Sequence, residues 1–394
     1  MRVAEYTLIV LIAGVALAFD ISIMSQFALP KLLILRIGTL ALCLIWLTAH
    51  REGAILPFPM PVLCSAMALG LWSILATITA LHGYTSLHGV YGWYNGLFTQ
   101  LNYLLLFYLI ATLPIDKLKI LKAYVIVMSI VAVYAIFQKC GIDFVDFPHS
   151  RPASTIGNAV PMSACLLLAL PFSLYFALKK KAWFVVSLIL LAGIVISQSR
   201  GVQLALILTA LIIIFVYGWR YMTKKATAFV IISLLCAGVL TFIVFVNFAN
   251  SGLKERYNPM NISQDEGVKL RLHYYQVAWA MIKDRPIMGF GLDNMKVAFS
   301  QYRTPELATI EQHVIPTEPH NVYLAKAVNG GIPLLIFYLA FIVSVLRHIN
   351  RSDKILAVAF VGAITGYLIQ DISGWSHSAL QPMFYILIAL GVRE

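Results

Sequence analysis

KKKAWFVVSLILLAGIVISQSRGVQLALILTALIIIFVYGWR, residues 179–220, is the stretch that decides the class of this chain. Two apolar runs of spanning length, 183–198 and 202–219, are separated only by Ser199-Arg200-Gly201. Lys179, Lys180 and Lys181 precede the pair and Arg220, Lys224 and Lys225 follow it. The positive-inside rule therefore places both outer ends on the cytoplasmic face. Arg200 then sits on the opposite face, where topology does not call for a cation. A cation between two spans is costly, and by default it marks a site for an anionic ligand. Snorkelling to the headgroups accounts for a lone hairpin arginine equally well.

The rest of the 394 residues repeats the pattern. The chain is 60% hydrophobic and 12% charged, about half the charged share of a soluble domain. Apolar runs recur near 4–24, 30–49, 57–81, 98–113, 119–138, 159–178, 183–198, 201–219, 227–248, 321–346, 354–373 and 378–392. This predicts an all-α polytopic membrane protein of about twelve transmembrane helices, and the alternating segments of a β-barrel are absent. With the N-terminus in the cytoplasm, the even connections hold Arg51, Lys117, Lys119, the 179–181 triplet, Arg220, Arg347, Arg351 and Lys354, while the short odd ones hold only Lys139, Arg151 and Arg200. Both termini come out cytoplasmic. The net charge of +12 is thus a topology signal, and no nucleic-acid partner is expected. The run 6–19 reads as a first helix, not a cleaved signal. Five cysteines, four of them in apolar runs, give neither a disulfide framework nor a zinc set.

One connection is unlike the others. Residues 1–248 hold nine spans and 320–394 hold three, and between them 249–319 is a polar loop on the outer face. A loop of that length with structure of its own is usually functional. Within it Val268, Leu272, Tyr275, Trp279 and Ile282 recur at helical spacing, and Asp284-Arg285-Pro286 closes the pattern. Such an amphipathic helix lies along the bilayer interface, packs on the tops of the spans, or does both.

Three outer-face groups carry the chemistry. Arg200 and Arg271 are suited to a diphosphate, because each guanidinium fork holds two phosphate oxygens. His320, in Glu318-Pro319-His320-Asn321, is expected near a helix N-terminus, where the dipole lowers its pKa and leaves a neutral imidazole able to take a proton. Each residue alone has a plainer reading: Arg271 as a lipid-binding cation, His320 as a structural histidine. Arg151, Asn158, Tyr275 and Asn321 complete the candidate set. Smaller signals are the aromatic and glycine-rich 82–96 loop, Asp371 with Trp375 and His377, and Lys31 and Arg36 inside the second span. There is no nucleotide-binding loop, no His-Glu-x-x-His pair and no serine nucleophile elbow. No Asp-x-Asp stands ready to hold a divalent cation in the outer loops, so neither a metal nor a cofactor is expected.

Arg151 with Gly157-Asn158, Ser197-Gln198-Ser199-Arg200-Gly201, Arg285-Pro286-Ile287-Met288-Gly289-Phe290-Gly291 and Pro319-His320-Asn321-Val322-Tyr323-Leu324 follow one another in an order and spacing that resemble the O-antigen ligase (WaaL) and Wzy-type polymerase superfamily. The chain departs from the family where Glu-x-Gly often follows the histidine helix and Val328-Asn329-Gly330-Gly331 stands here. The resemblance implies a GT-C-like glycosyltransferase of the bacterial inner membrane with its active site facing the periplasm. It implies inverting, metal-independent transfer of a glycan from undecaprenyl diphosphate to the lipid A-core of lipopolysaccharide, among membrane lipids. Arg200 and Arg271 would match the family's diphosphate-binding arginines and His320 its essential histidine. A polymerase, a protein O-oligosaccharyltransferase and a transporter that binds the same diphosphate without reacting are the alternatives.

Overall fold

The structure is a computed structural model and describes residues 2–144, 151–215, 225, 232, 265–304 and 315–393. Among them helices are the only regular structure: α1 (Arg2–Leu17), α2 (Ala28–Arg51), α3 (Met60–Ile78), α4 (Gly83–His88), α5 (Leu97–Thr112), α6 (Lys117–Lys139), α7 (Ala159–Lys179), α8 (Trp183–Ile196), α9 (Arg200–Ile213), α10 (Glu266–Asp284), α11 (Met295–Ala298), α12 (Val322–Arg347), α13 (Lys354–Gln370) and α14 (Leu380–Val392). The ninth expected span, 227–248, lies outside the described residues except at 232. Each of the other eleven coincides with a helix. Five of them (α2, α3, α6, α7 and α12) are long and apolar enough to cross a membrane. Of about twelve expected spans, those five are borne out by length and composition. The first helix shows why length falls short. It ends at Leu17, not near 24, because Asp20 accepts from the Ser22 N–H and hydroxyl and turns the chain.

Burial sorts the helices by depth. In the most apolar 18 residues of α7, 83% are buried, against 28% for α2, so α7 is the axis of the bundle and α2 its flank. Around α7 pack α6, α8, α9 and α13, while α12 packs on α3 and α14 on α5. Aromatic rings fill the centre: Tyr103 and Tyr385 stack at 5.3 Å, and Phe172 meets Phe360 edge-on at 4.9 Å. With water excluded on all sides, such packing contacts and not hydrophobic transfer hold helices together in lipid.

The bundle has two distinct ends. At one, Lys119 binds Glu5 at 2.6 Å, Lys117 donates to the Arg393 carbonyl at 2.8 Å and Lys179 pairs with Asp353 at 3.5 Å. Residues 5 and 393 share this end, which agrees with termini on one side. At the other end stand Arg200, α10 and the loops before α2, α5, α7, α12 and α14.

The sequence reading of α10 holds at its Asp284-Arg285-Pro286 end, and the residues it spaced along the helix divide between two faces. Asp265 caps the helix, its side chain accepting from the Val268 N–H, and Arg285 follows its last turn. The buried stripe is Tyr274, Val277, Ala278, Met281 and Ile282, packed with Phe290, Met295 and Phe299 against Ala327 and Val328 of α12. Leu272 and Trp279, of the expected apolar face, are 56% and 57% exposed. The helix thus carries two apolar stripes, one docked on the bundle and one turned outward.

Helix α12 is broken at Gly330 and Gly331, the latter at φ 72°. Its freed backbone groups are taken up by the Arg285-Pro286…Gly291 segment. Phe290 N–H donates to the Val328 carbonyl and Gly291 N–H to that of Asn329, both at 2.9 Å, while Ile332 N–H reaches Pro286 at 2.7 Å. The Trp72 indole donates to Gly330 at 2.7 Å. Broken helices persist at membrane depth only when protein groups satisfy the backbone in this way. A side chain at Gly331 would collide with the Ile287 carbonyl, so Val328-Asn329-Gly330-Gly331 serves here as a docking break.

Candidate functional site

His320 is the residue around which this end is organised. It precedes Asn321, which caps α12 by accepting from the Leu324 N–H at 3.0 Å. Its own backbone is in the left-handed region, φ 56°, where a non-glycine residue is strained. The strain is held from two sides. Tyr275 of α10 donates to the His320 carbonyl at 3.3 Å and to that of Ile372 at 3.0 Å, and the Val322 N–H reaches the Asp371 carbonyl at 3.0 Å. The imidazole lies edge-on to Trp375 at 4.9 Å and near-parallel to Tyr274 at 6.0 Å. Its Nδ1 is buried without a hydrogen-bond partner.

Burial, and after it the positive charge of Arg271, lower the His320 pKa from the ordinary 6.5 to about 4. The expected direction holds, with desolvation and then the neighbouring cation as its causes, and His320 stands just ahead of the α12 cap. The group is neutral at pH 7.

Arg200 is the first residue of α9, behind Ser199 as its cap. A cation there opposes the helix dipole. Its guanidinium binds the Asp265 carboxylate at 2.7 Å, so the start of α10 is anchored beside it. Arg271 lies six residues further along the same helix, about 9 Å by helical rise. Arg151 reaches the Gln198 carbonyl in the turn before Arg200 at 3.5 Å. The structure thus gathers His320, Arg271, Tyr275 and Asn321, and links Arg200 and Arg151 to them through α10 and its anchor. Asn158 stands apart from these, capping α7 by accepting from the Val160 N–H at 3.0 Å.

Lys31, whose role the sequence left open, is fully buried and donates to the carbonyls of Ala16, Ala18 and Thr155 at 3.4, 2.7 and 2.9 Å. A cation on the last carbonyls of α1 is favoured by that helix's dipole and ties the 151–158 segment to it. Arg36 is half-buried among the second span's neighbours.

Two carboxyls escaped the sequence reading. Glu318 accepts from Asn95 Nδ2 at 3.1 Å and from the Ser376 N–H at 3.0 Å; Asp293 accepts from the Val90 and Asn95 N–H groups at 2.6 and 3.3 Å. Burial pushes Glu318 up to about 7, with Asp293 adding to the effect, and Asp293 up to about 6. Together they bind the aromatic 90–96 loop to the His320 and Trp375 loops. Glu318 adjoins the Pro-His pair and Asp293 follows a glycine turn, which was the signal available. Asp265 carried none beyond its place at the start of a helical pattern.

Residues 185–339, from α8 into α12, match the family model described as O-antigen ligase. That match supports membership of the O-antigen ligase superfamily. The matched stretch contains Arg200, Arg271 and His320 and leaves Arg151 and Asn158 outside. No curated protein matches the chain. The match and the apolar helices together point to a multi-pass membrane protein.

Proposed function

We propose that this protein is an O-antigen ligase, transferring a glycan from undecaprenyl diphosphate to lipid A-core at the periplasmic face of the inner membrane. The observation that carries the reading is the buried, partnerless Nδ1 of a strained, neutral His320 beside Arg271. A neutral imidazole so placed accepts the proton of the attacking acceptor hydroxyl. As the oxygen bonds to the anomeric carbon from the face opposite the leaving group, the bond to the diphosphate breaks and configuration inverts. Negative charge then grows on the departing diphosphate. Arg271 and Arg200 supply the compensating charge, preorganised in a poorly hydrated site. The carboxylate of Asp265 on Arg200 marks the orientation in which that guanidinium receives an anion.

In this reading the arginines provide what a divalent cation would otherwise provide. Purified protein given an undecaprenyl-diphosphate glycan and lipid A-core is expected to form conjugate in EDTA. Activity restored only by added magnesium or manganese overturns the metal-free step. A Wzy-type polymerase uses the same donor with a second lipid-linked glycan as acceptor. A deletion strain separates the two: long undecaprenyl-linked chains with unsubstituted lipopolysaccharide mark a ligase, single repeat units a polymerase.

A further inference from the structure

Trp375 has a second neighbour besides His320. It lines a cavity of about 250 Å³ whose walls come from four loops, those around Ser25, Trp93, Gly157 and Ser378. Trp93 and Trp375 meet there edge-on at 6.5 Å. Three polar atoms in these walls are buried without a partner: Ser25 Oγ, Trp375 Nε1 and Ser378 Oγ, on residues only 6%, 7% and 7% exposed. Buried polar groups are nearly always satisfied, so three on one cavity ask for a ligand that supplies hydrogen bonds.

The chemistry of the walls narrows that ligand. No lysine, arginine, aspartate or glutamate lines the cavity. Its one titratable group, His377, is pushed down to about 3 by burial and then by Lys31, and is neutral. Its Nδ1 accepts from the Ala379 N–H at 3.2 Å, which leaves Nε2–H as a donor. A phosphate or carboxylate finds no counter-charge in such a place, whereas a polyol finds donors, acceptors and an indole to lie against. The volume is below the range of about 300–1,000 Å³ that suits drug-sized molecules, and accommodates a ring or two, not a chain.

We propose that this cavity is a sugar subsite, seating one uncharged pyranose of a substrate glycan next to His320 through Trp375. The proposal rests on the reading of the protein as a glycan transferase, and it gives the aromatic 90–96 loop the sugar-contacting role that an interfacial belt would not have.

The test uses the full chain in lipid nanodiscs and two variants, Trp93→Ala and the double variant Ser25→Ala/Ser378→Ala. With the lipid-linked donor and lipid A-core, each variant is expected to raise the KM of one substrate about tenfold while kcat stays within about twofold. A rise for the acceptor places its terminal sugar in the cavity and a rise for the donor places the transferred sugar there; either supports the subsite. Both KM values within about twofold of the parent in the serine variant, which removes only two hydroxyls and keeps the fold even where Trp93→Ala does not, overturn it. Methyl hexopyranosides titrated against tryptophan fluorescence separate this inference from the functional reading. If the parent protein makes no conjugate, the ligase reading fails. The subsite then still stands on a saturable fluorescence change lost in the serine variant, and falls if the parent shows none.

Discussion

At the end of the bundle that holds residues 5 and 393, polar groups find one another. Lys119 meets Glu5, Lys179 meets Asp353, and Lys117 and Asn350 both donate to the Arg393 carbonyl. Arg393 Nε and Nη1 are orphaned there nonetheless, and among the described residues the orphaned atoms are more numerous at the end around His320. His320 Nδ1, Trp375 Nε1, Ser25 Oγ, Ser378 Oγ and Asn95 Oδ1 are buried with no partner. Magnitudes decide what this contrast means. Partly exposed ion pairs contribute about 0–1 kcal/mol each, whereas an unsatisfied buried polar group costs about 1–3 kcal/mol. Neither end is fully paired, and at the second the orphaned atoms gather around the imidazole and the proposed sugar cavity, where a bound substrate would satisfy them.

The largest expected effect falls on the arginines. Arg200→Ala and Arg271→Ala should each lower transfer by about a hundredfold to a thousandfold with expression intact, as loss of a preorganised charge does elsewhere. Near-normal turnover in either variant would return that residue to a headgroup-binding role. A smaller effect is expected at the anchor. Asp265→Asn keeps an N-cap for α10 but removes the charge that competes with phosphate for Arg200, so the donor KM should fall several-fold. A rise in KM would show that the ion pair positions Arg200 instead of occupying it. The smallest belongs to the opposite end, where Lys119→Met should leave the melting temperature and turnover nearly unchanged. A loss of turnover there would dissolve the distinction between the two ends.

Much of the site was legible because each signal was local. Asn158 and Asn321 head apolar runs and both cap helices; Arg200 breaks a hairpin and begins one. The end of helix α10 was readable, since Asp284-Arg285-Pro286 delimits it, but its cap at Asp265 and its packing face were not. Two apolar stripes fit the same periodicity, and only the docking of Phe290 and Met295 selects between them. What sequence could not show are pairings across long separations. Arg200 with Asp265, Asn95 with Glu318 and Trp72 with Gly330 depend on loops brought together by the bundle. The break in α12 was hidden for the same reason, because two glycines before a proline read equally as tight helix packing until the 286–291 segment docks on them.

The most direct test separates donor binding from turnover at His320. Purified His320→Ala in nanodiscs should bind the undecaprenyl-diphosphate glycan with a Kd within about twofold of the parent, while single-turnover transfer to lipid A-core falls by about a hundredfold or more, the range of a lost general base. Transfer at near-parental rates, or a loss of binding that matches the loss of rate, would contradict a catalytic role for this imidazole and with it the account of this end of the molecule.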